Sequence, residues 1–215
     1  MVEVIKIDDQ PIAATFFNEV SRLTEFITPN ALEVKDLYHH LTDGINTSRD
    51  RILACWHWVA ADVKYVKAVR AKIWVEGRSS AQSDLWQLPS MAIMTRVGNC
   101  ANKAFLLASL LRNELPPNDV YCVLGNLHNG VAGGHAWVQL DLDGEQYTME
   151  STMPTAPPLI PIHQAVRYEA VHFFNDMEVH AVEGRTQLVP FAECYSTWLE
   201  SYLNWAYINR QRMER

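Results

Sequence analysis

The sequence predicts an α+β fold, and three observations carry that reading. The first third has apolar residues at helical spacing. The run from Cys100 to about Asn113 is apolar nearly all round, which marks a helix buried at the centre of the fold. Two stretches of strand character then flank Asp143-Gly144, a strong two-residue hairpin signal. The order of helices, then strands, then a last helix fits segregated α+β better than alternating α/β.

Taken in order, Ile12, Phe16, Val20, Leu23 and Ile27 form an amphipathic stripe that opens at Pro11 and stops at Pro29. Val34, Leu37, Tyr38 and Leu41 mark a second helix, closed by Gly44. Thr47 or Ser48 caps a third, with Ile52, Cys55, Trp56, Val59 and Val63 on one side. Residues 67–95 read as a long loop because of Gly77, Ser79, Ser80, Ser83 and Pro89, and a loop of that length suggests a function. Pro116 and Pro117 end the central helix. A strand at Val120–Leu124 leads into a glycine-bearing loop through Gly134, then into the hairpin strands His135–Leu142 and Glu145–Glu150. Prolines interrupt regular structure from Pro154 to Pro161. A strand pair follows near Tyr168–Phe174 and Met177–Val182, turning at Asn175-Asp176. A final helix from Pro190 carries Phe191, Tyr195, Trp198, Tyr202, Trp205 and Ile208, most simply as core.

At 215 residues the chain suits a single domain, 1–215, with a helical part over 1–66, a core bearing the chemistry over 96–152, and C-terminal strands and helix over 153–215. With 48% hydrophobic and 20% charged residues it is ordinary globular material, not a disordered or collagenous chain. A net charge of −7 argues against nucleic acid as partner. No apolar run reaches the ~18–20 residues of a membrane span, and Met1–Gln10 has no hydrophobic signal region. A cytoplasmic location with reduced thiols is therefore expected. The spacing of Cys55, Cys100, Cys122 and Cys194 fits no metal pattern, and His128, His135 and Cys122 are too irregular for zinc, so neither metal nor cofactor is expected.

Chemistry concentrates at Cys100. Asn99 is a good N-cap, which leaves Cys100 in the first turn, where unpaired N–H groups and the helix dipole favour the nucleophilic thiolate. The Cys100 N–H could also donate to an oxyanion. A two-residue loop at Asp143-Gly144 pairs Leu142 with Glu145, so Trp137 faces Glu150 and His135 faces Thr152. His135 and Glu150 are then diagonal neighbours on one face, about 7–8 Å apart at the backbone and within side-chain reach. Ala136, Val138 and Leu140 point to the other face as core. The pattern suits Cys100 as nucleophile, His135 as proton carrier and Glu150 as the group orienting the imidazole.

Arg96-Val97-Gly98-Asn99-Cys100 followed by Ala104–Arg112 resembles the cysteine-helix segment of the transglutaminase-like superfamily. Gly134–Val138 resembles its histidine strand, Tyr147–Thr152 the stretch holding its acid before a threonine, and Trp58–Tyr65 the helix that precedes its cysteine. The resemblance spans roughly residues 30–152 and implies a papain-like core: a central buried helix on an antiparallel sheet, here with N-terminal helices and a C-terminal helix. It implies Cys100, His135 and Glu150 as the triad. Glu150 departs from the usual Asp, and Asn99 and Asn102 stand where bacterial relatives often carry acids. Gln87 or the Trp86 indole is assigned as second oxyanion donor, with packing of the cleft edge as the alternative. The expected function is thiol-dependent amide hydrolysis on a peptide or protein substrate. Acyl transfer from glutamine to an amine, or a silent interaction module, are the alternatives, and the oligomeric state is left open.

Overall fold

The structure, a computed structural model, describes residues 3–9, 22–67, 71–75, 78–82, 86–129 and 131–185. The expected helix from Pro11 lies mostly outside them; its end, Leu23–Phe26, is one 3₁₀ turn. The helix expected from Pro190, and Cys194, also lie outside the described residues. In chain order the elements are β1 (Val4–Ile7), α1 (Leu32–Thr42), α2 (Ser48–Asp62), β2 (Lys64–Tyr65), β3 (Ala71–Val75), β4 (Arg78–Gln82), α3 (Pro89–Thr95), β5 (Val97–Gly98), α4 (Cys100–Leu111), β6 (Val120–Asn129), β7 (Val131–Leu142), β8 (Glu145–Met149), β9 (Ile160–Pro161), β10 (Tyr168–Phe174) and β11 (Val179–Val182). Seven strands, in the order β1-β11-β10-β6-β7-β8-β9, form one antiparallel sheet. The architecture is the expected α+β one.

α4 is the centre. Every one of its residues is buried, as its all-round apolar sequence requires. It packs against α1, α2 and α3 and lies on β6 and β7. Phe105, Leu106, Leu107, Leu110 and Leu111 join Ala136, Val138 and Leu140 of β7 in one core; each of these other than the alanine contributes about 1.5–3 kcal/mol when removed from water. Three polar residues share the burial and each is satisfied. Asn102 closes a reciprocal cap with Asn99. Lys103 donates to main-chain carbonyls. Ser109 donates to the Phe105 carbonyl and accepts from the Thr28 N–H. An unpaired polar atom here would offset much of what an apolar side chain beside it gains.

The helical layer is pinned at one end by Glu114. Its carboxylate takes both Nε and Nη2 of Arg51 at 2.7 Å, and the Tyr38 hydroxyl also donates to it. This fork joins α1 and α2 to the segment just beyond α4. The Arg51 hydrogen bonds hold the Glu114 carboxyl down at about 2. Thr47, of the two candidates, caps α2, accepting from the Asp50 N–H at 3.1 Å.

Two expected loops are structured instead. Residues 67–95 hold the β3–β4 ribbon, with Trp74 opposite Ser79 and Ile73 opposite Ser80, and then α3. Serines on a two-stranded ribbon give little strand signal, and Pro89 starts α3 at its first turn rather than breaking the chain. The glycine-bearing loop between Leu124 and Gly134 is also absent: β6 runs on to Asn129 and β7 begins at Val131, with Gly125 opposite His135 and Asn126 opposite Gly134. Gly125 marks a close approach, not a turn. A Cβ placed there would lie 2.2 Å from the Glu169 carbonyl oxygen and 2.4 Å from the Trp137 ring. Elsewhere the hairpin register matches expectation, from Leu142 opposite Glu145 to Val138 opposite Met149. Pro161 sits in the edge strand β9, where a missing N–H is tolerated.

Gly125→Ala must therefore displace β10 or the Trp137 ring. We expect a loss of about 1–3 kcal/mol, typical of an overpacked site, in urea unfolding; an unchanged midpoint would contradict the close approach.

Candidate active site

The cysteine is presented by a rigid turn. β5 pairs in parallel with β2, Lys64 opposite Val97 and Tyr65 opposite Gly98. Arg96 reverses the chain between α3 and β5 with φ 53°, a left-handed conformation that costs a non-glycine residue about 1–3 kcal/mol. Its guanidinium lies 4.5 Å from the centre of the Trp58 ring, a contact that helps hold it there. Gly98 leaves no room for a side chain, since a Cβ would meet the Asn102 Cβ at 2.9 Å. Asn99 then caps α4, its side chain accepting from the Asn102 N–H at 3.0 Å while the Asn102 side chain accepts from the Asn99 N–H at 3.1 Å. Cys100 follows as the first helical residue, 2% exposed.

The histidine and the acid come from adjacent strands. β8 ends at Met149, opposite Val138, so Glu150 lies one residue past the ladder and two positions along from His135 on β7. His135 Nε2 and Glu150 Oε2 are 2.6 Å apart, both side chains fully buried. Every part of the carboxylate is occupied. Oε1 accepts from the Thr152 N–H at 2.8 Å and from the Thr152 hydroxyl, and Oε2 also accepts from the Tyr168 hydroxyl at 3.1 Å. The Glu150 main-chain oxygen accepts from Trp56 Nε1 at 2.8 Å, tying the acid to α2. Trp137 stacks on His135 at 6.0 Å between ring centres, with 29° between planes.

Nε2 is committed to Glu150, and the Cys100 side chain also acts on the imidazole. Burial alone would push His135 down, but the Glu150 carboxylate and the Cys100 sulfur reverse this and hold it well above its ordinary value. Burial pushes Glu150 up, yet the His135 charge and the Thr152 donors leave it below the ordinary carboxylate range. The pair is thus an ion pair at neutral pH. Lys103, one turn past Cys100, sends Nζ to the carbonyls of Val63 at 2.7 Å and Ala60 at 3.1 Å, at the C-terminal end of α2. Burial lowers it to about 8, against the opposing pull of Glu150. Cys55 and Cys122 are also buried, and burial pushes their thiols up, Cys55 to about 12.

The structure therefore brings together Cys100, His135 and Glu150. Gln87 sits behind the cysteine turn, Nε2 donating to the Val97 carbonyl at 3.0 Å and Oε1 accepting from the Thr95 hydroxyl at 3.2 Å. Trp86 packs edge-on against Phe105 of α4 and Phe26, at 5.2 and 5.5 Å between ring centres. Both thus take part in packing the support of α4. Sequence reasoning missed Tyr168, Lys103 and Trp56. The one available signal was Lys103, a lone charge in an otherwise apolar helix. Among the described residues no cluster of three or more His, Cys, Asp or Glu could hold a metal, and no helix is long and apolar enough to cross a membrane.

The raised His135 contributes stability that is complete below its ordinary value and is lost as pH rises through the raised one. The lowered Glu150 contributes stability that is complete above the ordinary carboxylate range and is lost as pH falls through the lowered value. Glu150→Gln removes the charge and keeps the shape. We expect it to cost about 3–5 kcal/mol at pH 7, as for one partner deleted from a buried pair. The gap to wild type should narrow as pH drops below the ordinary carboxylate range; a gap independent of pH in urea unfolding would refute the ion pair.

Comparison with known proteins bears on the fold and the family. Two structures of LapG from Legionella pneumophila superpose with a TM-score of 0.51 each. The EGTA-treated form is 11% identical, covering 77% of this chain and 87% of its own. The calcium-bound form is 12% identical, covering 75% and 87%. At that identity they show a shared fold. No curated protein matches the sequence. The family model described as a transglutaminase-like domain matches residues 33–179, more than half of the chain and all three residues of the Cys100–His135–Glu150 cluster. The chain belongs to the transglutaminase-like domain family.

Proposed function

We propose that the protein is a thiol-dependent amide hydrolase acting on peptide or protein substrates through a Cys100–His135–Glu150 triad. The observation that carries this reading is the buried pair of His135 Nε2 with Glu150 Oε2 at 2.6 Å, with a cysteine in the first turn of a buried helix acting on the same imidazole. In this reading His135 already holds the proton of Cys100, and the thiolate attacks the amide carbonyl carbon. The carbonyl oxygen becomes an oxyanion, met by the Cys100 N–H at the unpaired end of α4. His135 passes its proton to the leaving nitrogen, the C–N bond breaks, and a thioester remains. Water then attacks the thioester while His135 takes its proton; the C–S bond breaks, and the thiolate is released beside the imidazolium. Glu150 keeps the imidazole in one orientation and balances its charge throughout. Gln87 supports the step by fixing the carbonyl of Val97 behind the nucleophile. Amine in place of water at the second step would give acyl transfer with the same three groups.

Two measurements test the reading. Iodoacetamide should alkylate Cys100 below pH 8 faster than Cys55 or Cys122, whose thiols burial holds protonated. Equal, slow labelling of all of them would favour a silent module. A peptide library read by mass spectrometry should show cleavages that vanish in Cys100→Ala and slow by about 10²- to 10⁴-fold in His135→Ala or Glu150→Gln. Ready incorporation of a labelled primary amine into a glutamine-bearing protein, without cleavage, would replace hydrolysis by transfer.

A further inference from the structure

Tyr168 stands outside the Cys100–His135–Glu150 mechanism, yet it touches the acid. It comes from β10, distant in sequence from all three, and its hydroxyl donates to Glu150 Oε2 at 3.1 Å, the same oxygen that pairs with His135. Its ring lies 6.2 Å from the His135 ring and 5.2 Å from that of Trp137. β10 reaches this place through two local devices. The bare Gly125 lets its main chain approach β6, and the register shifts between Ala170 and His172. The outer sheet face has a depression of about 190 Å³, with Tyr168, Trp137, Thr148 and Phe173 in its lining. Tyr168 thus stands between that depression and a fully buried carboxylate.

We propose that Tyr168 is a positioning residue of the site: its hydroxyl fixes the rotation of the Glu150 carboxylate so that one oxygen always faces His135, and its ring keeps water of the outer face away from the pair. The proposal rests on the triad reading above. A glutamate has one more rotatable bond than the aspartate usual in this family, so its carboxylate needs holding from more than one side. Thr152 holds Oε1 with two donors; Tyr168 supplies the matching donor on Oε2. A carboxylate without it can turn, and the imidazole loses the bond that sets its tautomer.

The groups facing Glu150 are His135 from β7, Tyr168 from β10 and Lys103 from α4. Cys100 lies beyond His135, and Arg167 sits beside Tyr168. His135 and Tyr168 are both raised, and Lys103 is at about 8, so Glu150 is the member of this set that titrates on the acid side.

The test is the pH dependence of Cys100 alkylation by iodoacetamide between pH 4 and 8, in wild type, Tyr168→Phe, Glu150→Gln and the double variant. Loss of one hydrogen bond to the charged carboxylate should move the acid limb up by about half to one pH unit in Tyr168→Phe. The same substitution should have no effect in the Glu150→Gln background. A structural role alone would slow all pH values alike and persist in that background. As a second measurement, the His135 Nε2–H proton resonance should be sharp in wild type and exchange-broadened in Tyr168→Phe. A Tyr168→Phe profile and resonance identical to wild type, with Cys100 still outpacing Cys55 and Cys122, overturns the proposal and leaves the triad. Wild-type Cys100 no faster than those two overturns both.

Discussion

The site depends on one interaction, the ion pair of His135 and Glu150 with no exposed surface on either partner. Removing two charges from water is expensive, and their mutual attraction offsets this only when the remaining lone pairs are filled. Here they are filled: Thr152 twice on one oxygen, His135 and Tyr168 on the other. The donors come from β7, from the segment beyond β8 and from β10. A mispairing of any of these strands would strand a buried carboxylate. The pair therefore acts on the register of the sheet as well as on the chemistry, and the sheet in turn sets its geometry.

The cysteine side is built by the same rule. Three polar side chains lie in the fully buried α4, and each ends on a group that would otherwise lack a partner. Asn102 takes the N–H of the cap residue. Lys103 takes two carbonyls at the negative end of α2. In the proposed mechanism a thiolate, an imidazolium and a carboxylate together carry one net negative charge, and the buried Lys103 ammonium, coupled to Glu150, is a positive charge that balances it. α2 also reaches the acid directly through Trp56. One helix thus braces both halves of the site, through Lys103 to the helix of Cys100 and through the indole to Glu150.

The legible parts of this fold were those with strong local signals. The all-round apolar run fixed α4 as the centre, Asn99 placed its start, and Asp143-Gly144 set a register from which the His135–Glu150 diagonal followed. The illegible parts are those in which a residue type carries an unusual meaning. Gly125 is a residue of contact with another strand, and nothing local distinguishes it from a turn glycine. Pro89 begins a helix where prolines nearby in sequence end one. Tyr168 reads as an ordinary strand aromatic, because its partner is set by the order of strands in the sheet and that order is a tertiary property.

Glu150 in place of the family's aspartate fits the same physical account. A longer acid placed one residue beyond the β8 ladder reaches the imidazole across the diagonal at 2.6 Å without the strands moving together. The extra methylene adds freedom that a shorter acid does not have, and the fold removes it with donors at both oxygens. A decayed site has no reason to keep all of them: losing the charge on Glu150 would leave the Thr152, Tyr168 and His135 donors around an acceptor that no longer matches them. The cost of each unpaired buried group, about 1–3 kcal/mol, would fall on a sheet that is also the core of the protein. The dressed carboxylate is therefore better explained by the charge it holds beside His135 than by packing, since an apolar side chain of the same volume would fill the space without requiring any of these partners.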